Sequence, residues 1–319
     1  MRKRLLLVLV LVIVVLLALL SAGRGLTTYG SWSTGASLPT VRYAATVSAL
    51  PVYKGKIYYI GGWDATLPVP NNTIYNIATN TYSSGADYPA AGIAGYACAL
   101  YDGKIYIFGG VVPYIPGGYV DYLRIYDIAS NTWSSGANVP WAAEGMLVAA
   151  DPTTGLIYIG GGCQLPEAMH DEWYAYNTAT DTWTQKASLP HTRGNGATFY
   201  YNGAIYTTAG GGITGTTLLD TTWRYNIASN TWATDLALLP IKTLVCASDI
   251  IASTGRIYLF GGRTSAETIY TNVVQVYDID DDKCLYLLYK LKKAIAIIQE
   301  DHTIDLSKEE KRIWSKTAT

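Results

Sequence analysis

A short pattern returns five times along this chain and limits its fold more than any other feature. Each copy joins a glycine-containing turn to Ile-Tyr and then to a run of glycines. The copies are Tyr-Lys-Gly-Lys-Ile-Tyr-Tyr-Ile-Gly-Gly ending at Gly62, Tyr-Asp-Gly-Lys-Ile-Tyr-Ile-Phe-Gly-Gly ending at Gly110, and Thr-Thr-Gly-Leu-Ile-Tyr-Ile-Gly-Gly-Gly ending at Gly162. The fourth, Tyr-Asn-Gly-Ala-Ile-Tyr-Thr-Thr-Ala-Gly-Gly-Gly, ends at Gly212 and is irregular; the fifth, Ser-Thr-Gly-Arg-Ile-Tyr-Leu-Phe-Gly-Gly, ends at Gly262. A period of about fifty residues means one supersecondary unit repeated in space.

A second pattern lies between the copies. A Tyr follows each of the first four glycine runs, and seven residues later comes another aromatic: Tyr75/Tyr82, Tyr126/Trp133, Tyr176/Trp183 and Tyr225/Trp232. The residues between them, such as Asn76-Ile77-Ala78-Thr79-Asn80-Thr81, are turn formers. A proline closes each unit, at Pro89, Pro140, Pro190 and Pro240. Every unit therefore offers four short strands, A to D, with Asp102-Gly103 and Asn202-Gly203 reading as A–B hairpin turns. Glycines ending strand B permit a close backbone approach that a side chain would block. The Tyr on C and the aromatic on D can fill the space between neighbouring sheets. One four-stranded sheet cannot bury both of its faces alone, and radial stacking solves that.

In these features residues 32 to about 278 resemble the kelch repeat. The resemblance implies an all-β fold, a β-propeller of five four-stranded kelch blades occupying residues 27–283. The fifth unit carries Cys284 where its D-strand aromatic should stand, while Ser31-Trp32-Ser33-Thr34 reaches Pro39 at the spacing found after Trp133. The expectation is a ring closed by an N-terminal strand around Trp32, paired with strand 272–278.

The ends of the chain are different. Arg2, Lys3 and Arg4 precede an apolar run from Leu5 to Leu20 and the small residues Ser21, Ala22 and Gly23. Residues 1–23 thus read as a secretory signal peptide or an uncleaved membrane anchor, which makes the chain secreted or part of the cell envelope, with no other membrane contact. Residues 284–319 lose the repeat. Ser307-Lys308-Glu309-Glu310 is a capping box and Leu285–Ile298 has amphipathic spacing, so a short, charged helical tail is expected. A net charge of −1, with no basic stripe inside the repeats, excludes nucleic acid as a partner. Cys98 and Cys246 sit in apolar runs, Cys163 follows a glycine run, and the spacings form no zinc motif. Free buried thiols are expected, with no metal and no cofactor.

In an A-B-C-D meander the B–C and D–A loops share one face, where binding residues collect. The resemblance implies that the position three residues after the proline borders the mouth of the central channel and contacts ligand. Arg42 and Arg193 match it; Gly92, Ala143 and Thr243 depart from it, with Glu144 and Lys242 adjacent. The alternative for both arginines is pairing with loop carbonyls. Trp141, Glu144, Glu167, His170, Asp171, His191 and Arg193 form the densest polar group, readable as a proton-exchanging or metal-holding set or as a solvated acidic loop. The candidate ligand-binding residues are Arg42, Trp63, Trp141, Glu144, His170, His191, Arg193 and Arg263. Among them, Arg193 suits a carboxylate, Glu144 accepts hydroxyl or amide protons, and Trp141 can stack on a sugar. Asp280-Asp281-Asp282 reads as a solvated turn on the opposite face. Gly210–Gly215 fits G-x-G-x-x-G, but a strand with Trp223 and Tyr225 follows it rather than a helix. The expected function is a binding module for a glycan or protein ligand. Its rival is a carbohydrate-active enzyme similar to sialic-acid epimerases, resting on analogy of fold and with no catalytic residue assigned. A structural role in a surface assembly is the third reading.

Overall fold

The computed structural model describes residues 34–280 except 47, 116–117, 165–167, 212–217, 245 and 265–268. The blades belong to the unit that begins at Leu38. Blade 1 contains β1 (Val52–Tyr53), β2 (Lys56–Ile60), β3 (Asn72–Asn76) and β4 (Thr81–Ser84). Blade 2 contains β5 (Ala97–Tyr101), β6 (Lys104–Phe108), β7 (Leu123–Asp127) and β8 (Thr132–Gly136). Blade 3 has β9 (Leu147–Ala150) and β10 (Leu156–Gly160), then a small loop hairpin of β11 (Cys163–Gln164) and β12 (Ala168–Met169), then β13 (Trp173–Asn177) and β14 (Thr182–Gln185). Blade 4 is β15 (Ala197–Tyr201), β16 (Ala204–Thr208), β17 (Thr222–Asn226) and β18 (Thr231–Ala233). Blade 5 has β19 (Ala247–Ile251), β20 (Arg256–Phe260) and β21 (Val274–Asp278) among the described residues.

Each blade is an antiparallel meander, so the all-β propeller of five blades stands as expected, and no described residue is helical. The first strands of blades 2, 3, 4 and 5 lie side by side. With the start of blade 1 they enclose a central channel of about 340 Å³, walled by Leu50, Leu100, Val148, Phe199 and Ile250 among others. At the A–B turns Asp102-Gly103 and Asn202-Gly203 both take positive φ, the signature of a two-residue hairpin, and Lys54-Gly55 does the same.

The core lies between blades. Ile105, Ile107 and Tyr126 of blade 2 pack with Tyr58 and Ile60 of blade 1, and Ile157, Ile159 and Tyr176 of blade 3 pack with Phe108 and Leu123 of blade 2. Trp173 joins blade 3 to Ile205 and Tyr225 of blade 4, and Phe199 joins blade 4 to Ile257 and Leu259 of blade 5. Burying one such side chain is worth about 1.5–3 kcal/mol, so the seams dominate the stability.

A polar clasp explains the seven-residue aromatic spacing. Trp133 Nε1 donates to Ala86 O of the preceding blade at 2.8 Å, and Asn131 Oδ1 accepts both the Ala86 N–H at 2.7 Å and the Tyr126 hydroxyl at 2.6 Å. Trp183, Asp181 and Tyr176 repeat this on Ala137, and Trp232, Asn230 and Tyr225 repeat it on Ala187. The Tyr, the turn Asn or Asp, and the Trp thus form one device that locks each blade to the one before it.

One alignment changes here. β16 ends at Thr208, so Ala209-Gly210 fills the glycine-pair position of blade 4 rather than a pair ending at Gly212, and Ala209 takes a φ of 59° there. Cys98 and Cys163 are free and buried, and Cys246 is free and part-buried. The signal or anchor 1–23, the closing strand at Trp32, Cys284 and the tail 284–319 lie outside the described residues.

Candidate interaction face

The glycine pair builds the channel mouth. In blade 1, Gly61 and Gly62 both have positive φ, and a Cβ on Gly61 would stand 2.1 Å from Ile93 O. That contact lets Gly62 N donate to Ile93 O of the next blade at 2.8 Å. Gly110 to Ala143, Gly162 to Arg193 and Gly210 to Thr243 repeat the bond at the same length. Ile93, not Gly92, is therefore the residue equivalent to Arg193 in blade 2, a one-residue shift from the proline-based alignment.

One residue further on, the D–A loop pairs with the residue after the glycines of its own blade. The bridges are Tyr43 with Trp63, Ala94 with Val111, Glu144 with Cys163, Gly194 with Gly211, and Leu244 with Arg263. Candidates Trp63 and Arg263 thus hold corresponding places, and Glu144 holds the partner place of the same bridge in blade 3, round one mouth. The next residues hydrogen-bond from blade to blade, Gly95 N to Ala44 O, Gly145 N to Gly95 O, and Asn195 N to Gly145 O.

The two arginines sit on this face but turn inward. Arg42 Nη1 donates to Gly61 O at 2.9 Å and Asn71 O at 3.0 Å, Nη2 donates to Thr73 Oγ1, and the guanidinium lies over the Tyr59 ring. Arg193 is fully buried; its Nη2 donates to Thr221 O at 3.0 Å and to Thr221 Oγ1, and its guanidinium lies 3.7 Å from the Trp223 ring centroid. Burial lowers the pKa of both groups. Each arginine ties the exit of its own B–C loop to its own D–A loop. Trp141 does similar work in blade 3, donating its Nε1 to Gly161 O at 3.0 Å and leaning on Tyr174 and His170.

The remaining candidates scatter around blades 3 and 4. His170 Nδ1 lies 3.1 Å from Glu172 Oε2, while His191 is exposed. Glu167 lies outside the described residues. Glu144 turns its carboxyl over Gly95, where a Cβ would meet Oε2 at 2.5 Å, and burial pushes its pKa up to about 7. Cys163 is pushed up to about 12, by burial first and by the charge of Glu144 second, so it is a packing thiol rather than a nucleophile. Among the described residues no three His, Cys, Asp or Glu side chains gather as a metal site.

Sequence reasoning passed over the apolar side chains of this face. Val41, Tyr43, Tyr114, Ile115, Leu238 and Tyr270 all belong to B–C or D–A loops and all are exposed, Val41 by 90% and Tyr114 by 81%. The opposite face is made mostly of polar turns, in which Asn76, Asp127, Asn177 and Asn226 accept bonds from backbone N–H groups two or three residues further on, with Ile77 and Ile251 exposed among them. The available signal was apolar residues placed inside Gly- and Pro-rich loops.

Comparison with known proteins agrees with this architecture. The model of the KLHDC2/KLHL20/DRC7 Kelch-repeats domain matches residues 48–238. Kelch-like protein terF of Aspergillus terreus is 28% identical over 254 residues, 75% of this chain and 55% of that protein. Beta-scruin of Limulus polyphemus is 24% identical over 78% of this chain and 28% of its own length, and human Kelch-like protein 23 is 24% identical over 79% and 43%. The chain therefore spans about half the length, or less, of the curated relatives it matches. The structure of YjhT superposes with a TM-score of 0.68 at 16% identity, covering 81% of this chain and 88% of that one, a likeness of fold.

Proposed function

Because this chain belongs to the kelch-repeat family, whose propellers commonly serve as protein-interaction modules, we propose that it takes a protein ligand on the B–C/D–A face. The observation that carries the reading is the display of Val41, Tyr43, Tyr114, Ile115 and Tyr270 around the channel mouth, against the fewer exposed apolar side chains, Ile77 and Ile251 among them, near the opposite turns. Exposed apolar side chains gathered on one face of a rigid scaffold mark a contact surface. Aliphatic residues mixed with tyrosine favour a protein surface over a sugar. A glycan is the second reading, supported by the exposed tyrosines, whose rings can stack on a pyranose. The apolar segment 5–20 supports an encounter outside the cytoplasm, and full-length protein found soluble in the cytoplasm would remove that part.

The test is selection of a random peptide library and a glycan array on purified residues 24–319. Peptide ligands should lose about tenfold in affinity on Tyr43→Ser/Tyr270→Ser, about 1.4 kcal/mol, and keep it on Ile77→Ser at the opposite face. Binding to glycans alone would give the site to the second reading, and peptides indifferent to both tyrosines would move it off this face.

A further inference from the structure

Among the described residues, the seam between blades 5 and 1 lacks the cover found at every other seam. Leu123 and Phe108, partners across β6–β7, are fully buried by blade 3, and Trp173 is fully buried by blade 4. Their counterparts in blade 5, Val274 and Phe260, pair in the same register yet are 49% and 47% exposed, with Val276 beside them also exposed. Blade 1 is bare in the matching direction. Ile57 is part-exposed where Ile105, Ile157, Ile205 and Ile257 are fully buried, and Val52 is exposed. An apolar sheet face of this kind calls for an occupant.

We propose that residues 285–298 of this chain cover the bare face of blade 5. The chain leaves β21 at Asp278, so this segment starts a few residues from the face and meets it at high effective concentration. Leu287, Leu288, Leu291, Ile295 and Ile298 recur at helical spacing and would form one apolar stripe, with Lys290 and Lys293 away from it. Charge agrees with the fit. Asp249, aligned with Tyr258 and Val276 across the same face, is exposed where Ala99 and Ala149 stand in blades 2 and 3. A carboxylate there does not suit burial under another apolar sheet, but it suits Lys292 at the border of the stripe.

The test uses the full chain carrying Cys284→Ser and Val276→Cys, labelled with a maleimide; the same chain without Val276→Cys reports the background from Cys246. Labelling should be slow, should accelerate about tenfold or more on Leu288→Glu/Leu291→Glu, and should stay slow with Leu288→Met/Leu291→Met. Equal rates in the parent and the glutamate pair overturn the proposal, whether both are fast or both slow. Slow labelling that speeds up on dilution identifies a second copy as the cover and overturns it as well. Should the glutamate pair fail to fold, a Val276→Cys/Leu291→Cys chain decides: a disulfide within one chain supports the docking, and its absence under oxidant overturns it.

Discussion

Phe108 in blade 2 and Phe260 in blade 5 end the same strand of the same repeat, yet the first is fully buried and the second is 47% exposed. Their local sequences, Ile-Tyr-Ile-Phe-Gly-Gly and Ile-Tyr-Leu-Phe-Gly-Gly, are nearly interchangeable. Their strands pair in the same way, and the glycines after both take the same positive φ. The repeat therefore secures strands, turns and the mouth, but not burial. Burial comes from the next blade, and each seam has to be supplied by a separate stretch of chain.

The largest effect should come from completing or not completing blade 5. If, as we propose, the segment around Trp32 pairs with β21, deleting residues 27–38 should lower the melting temperature by about 10 °C in calorimetry, because β21 would keep an unpaired edge. An unchanged melting temperature would show that its fourth strand comes from elsewhere. Next, Phe108→Ala should cost about 3–5 kcal/mol in urea unfolding, while Phe260→Ala should cost no more than about half of that in a chain shortened to residue 284, where no tail can cover its face. Equal losses would erase the contrast between the two blades.

The Arg193→Ala change sharpens the comparison at the mouth. It removes a buried guanidinium that holds Thr221 and packs on Trp223, and it should cost about 2–4 kcal/mol. Arg263→Ala, on the part-buried blade 5 mouth, should cost well under that in the same assay. A smaller term belongs to Glu144, whose pKa in the folded chain is raised from 4.5 to about 7. The folded state holds this proton more tightly, so its contribution is complete below pH 4.5 and is lost as pH rises to 7. Across that window Glu144→Gln should remove a fall of about 3 kcal/mol at most, measured as unfolding free energy against pH. Trp183→Phe, which deletes one clasp bond to Ala137 while keeping an aromatic ring, should cost about 1 kcal/mol.

Much of the site was legible as position and little of it as direction. The meander order alone places Trp63, Glu144 and Arg263 at one mouth, since B–C and D–A loops must emerge together. That Arg42 and Arg193 point inward depends on carbonyls such as Asn71 O and Thr221 O, which lie 28 or 29 residues along the chain and become neighbours when blades 1 and 4 close their loops. The mismatch at Ile93 has the same origin. Counting from proline assumes loops of equal length, whereas the hydrogen bond from Gly62 selects the residue that sits in its path.

Residues alone settle the number of visible repeats, the strand order within each, the hairpin turns at Asp102-Gly103 and Asn202-Gly203, and the face on which the loops gather. These depend on φ preferences and on the alternation of apolar residues over a few positions, which are local properties. Only the assembled blades decide which Tyr, Asn and Trp interlock, which arginines are buried, and that Glu144 is held near neutral pKa. Those outcomes depend on desolvation and on partners brought from a neighbouring sheet, and no stretch of the chain carries its own neighbour.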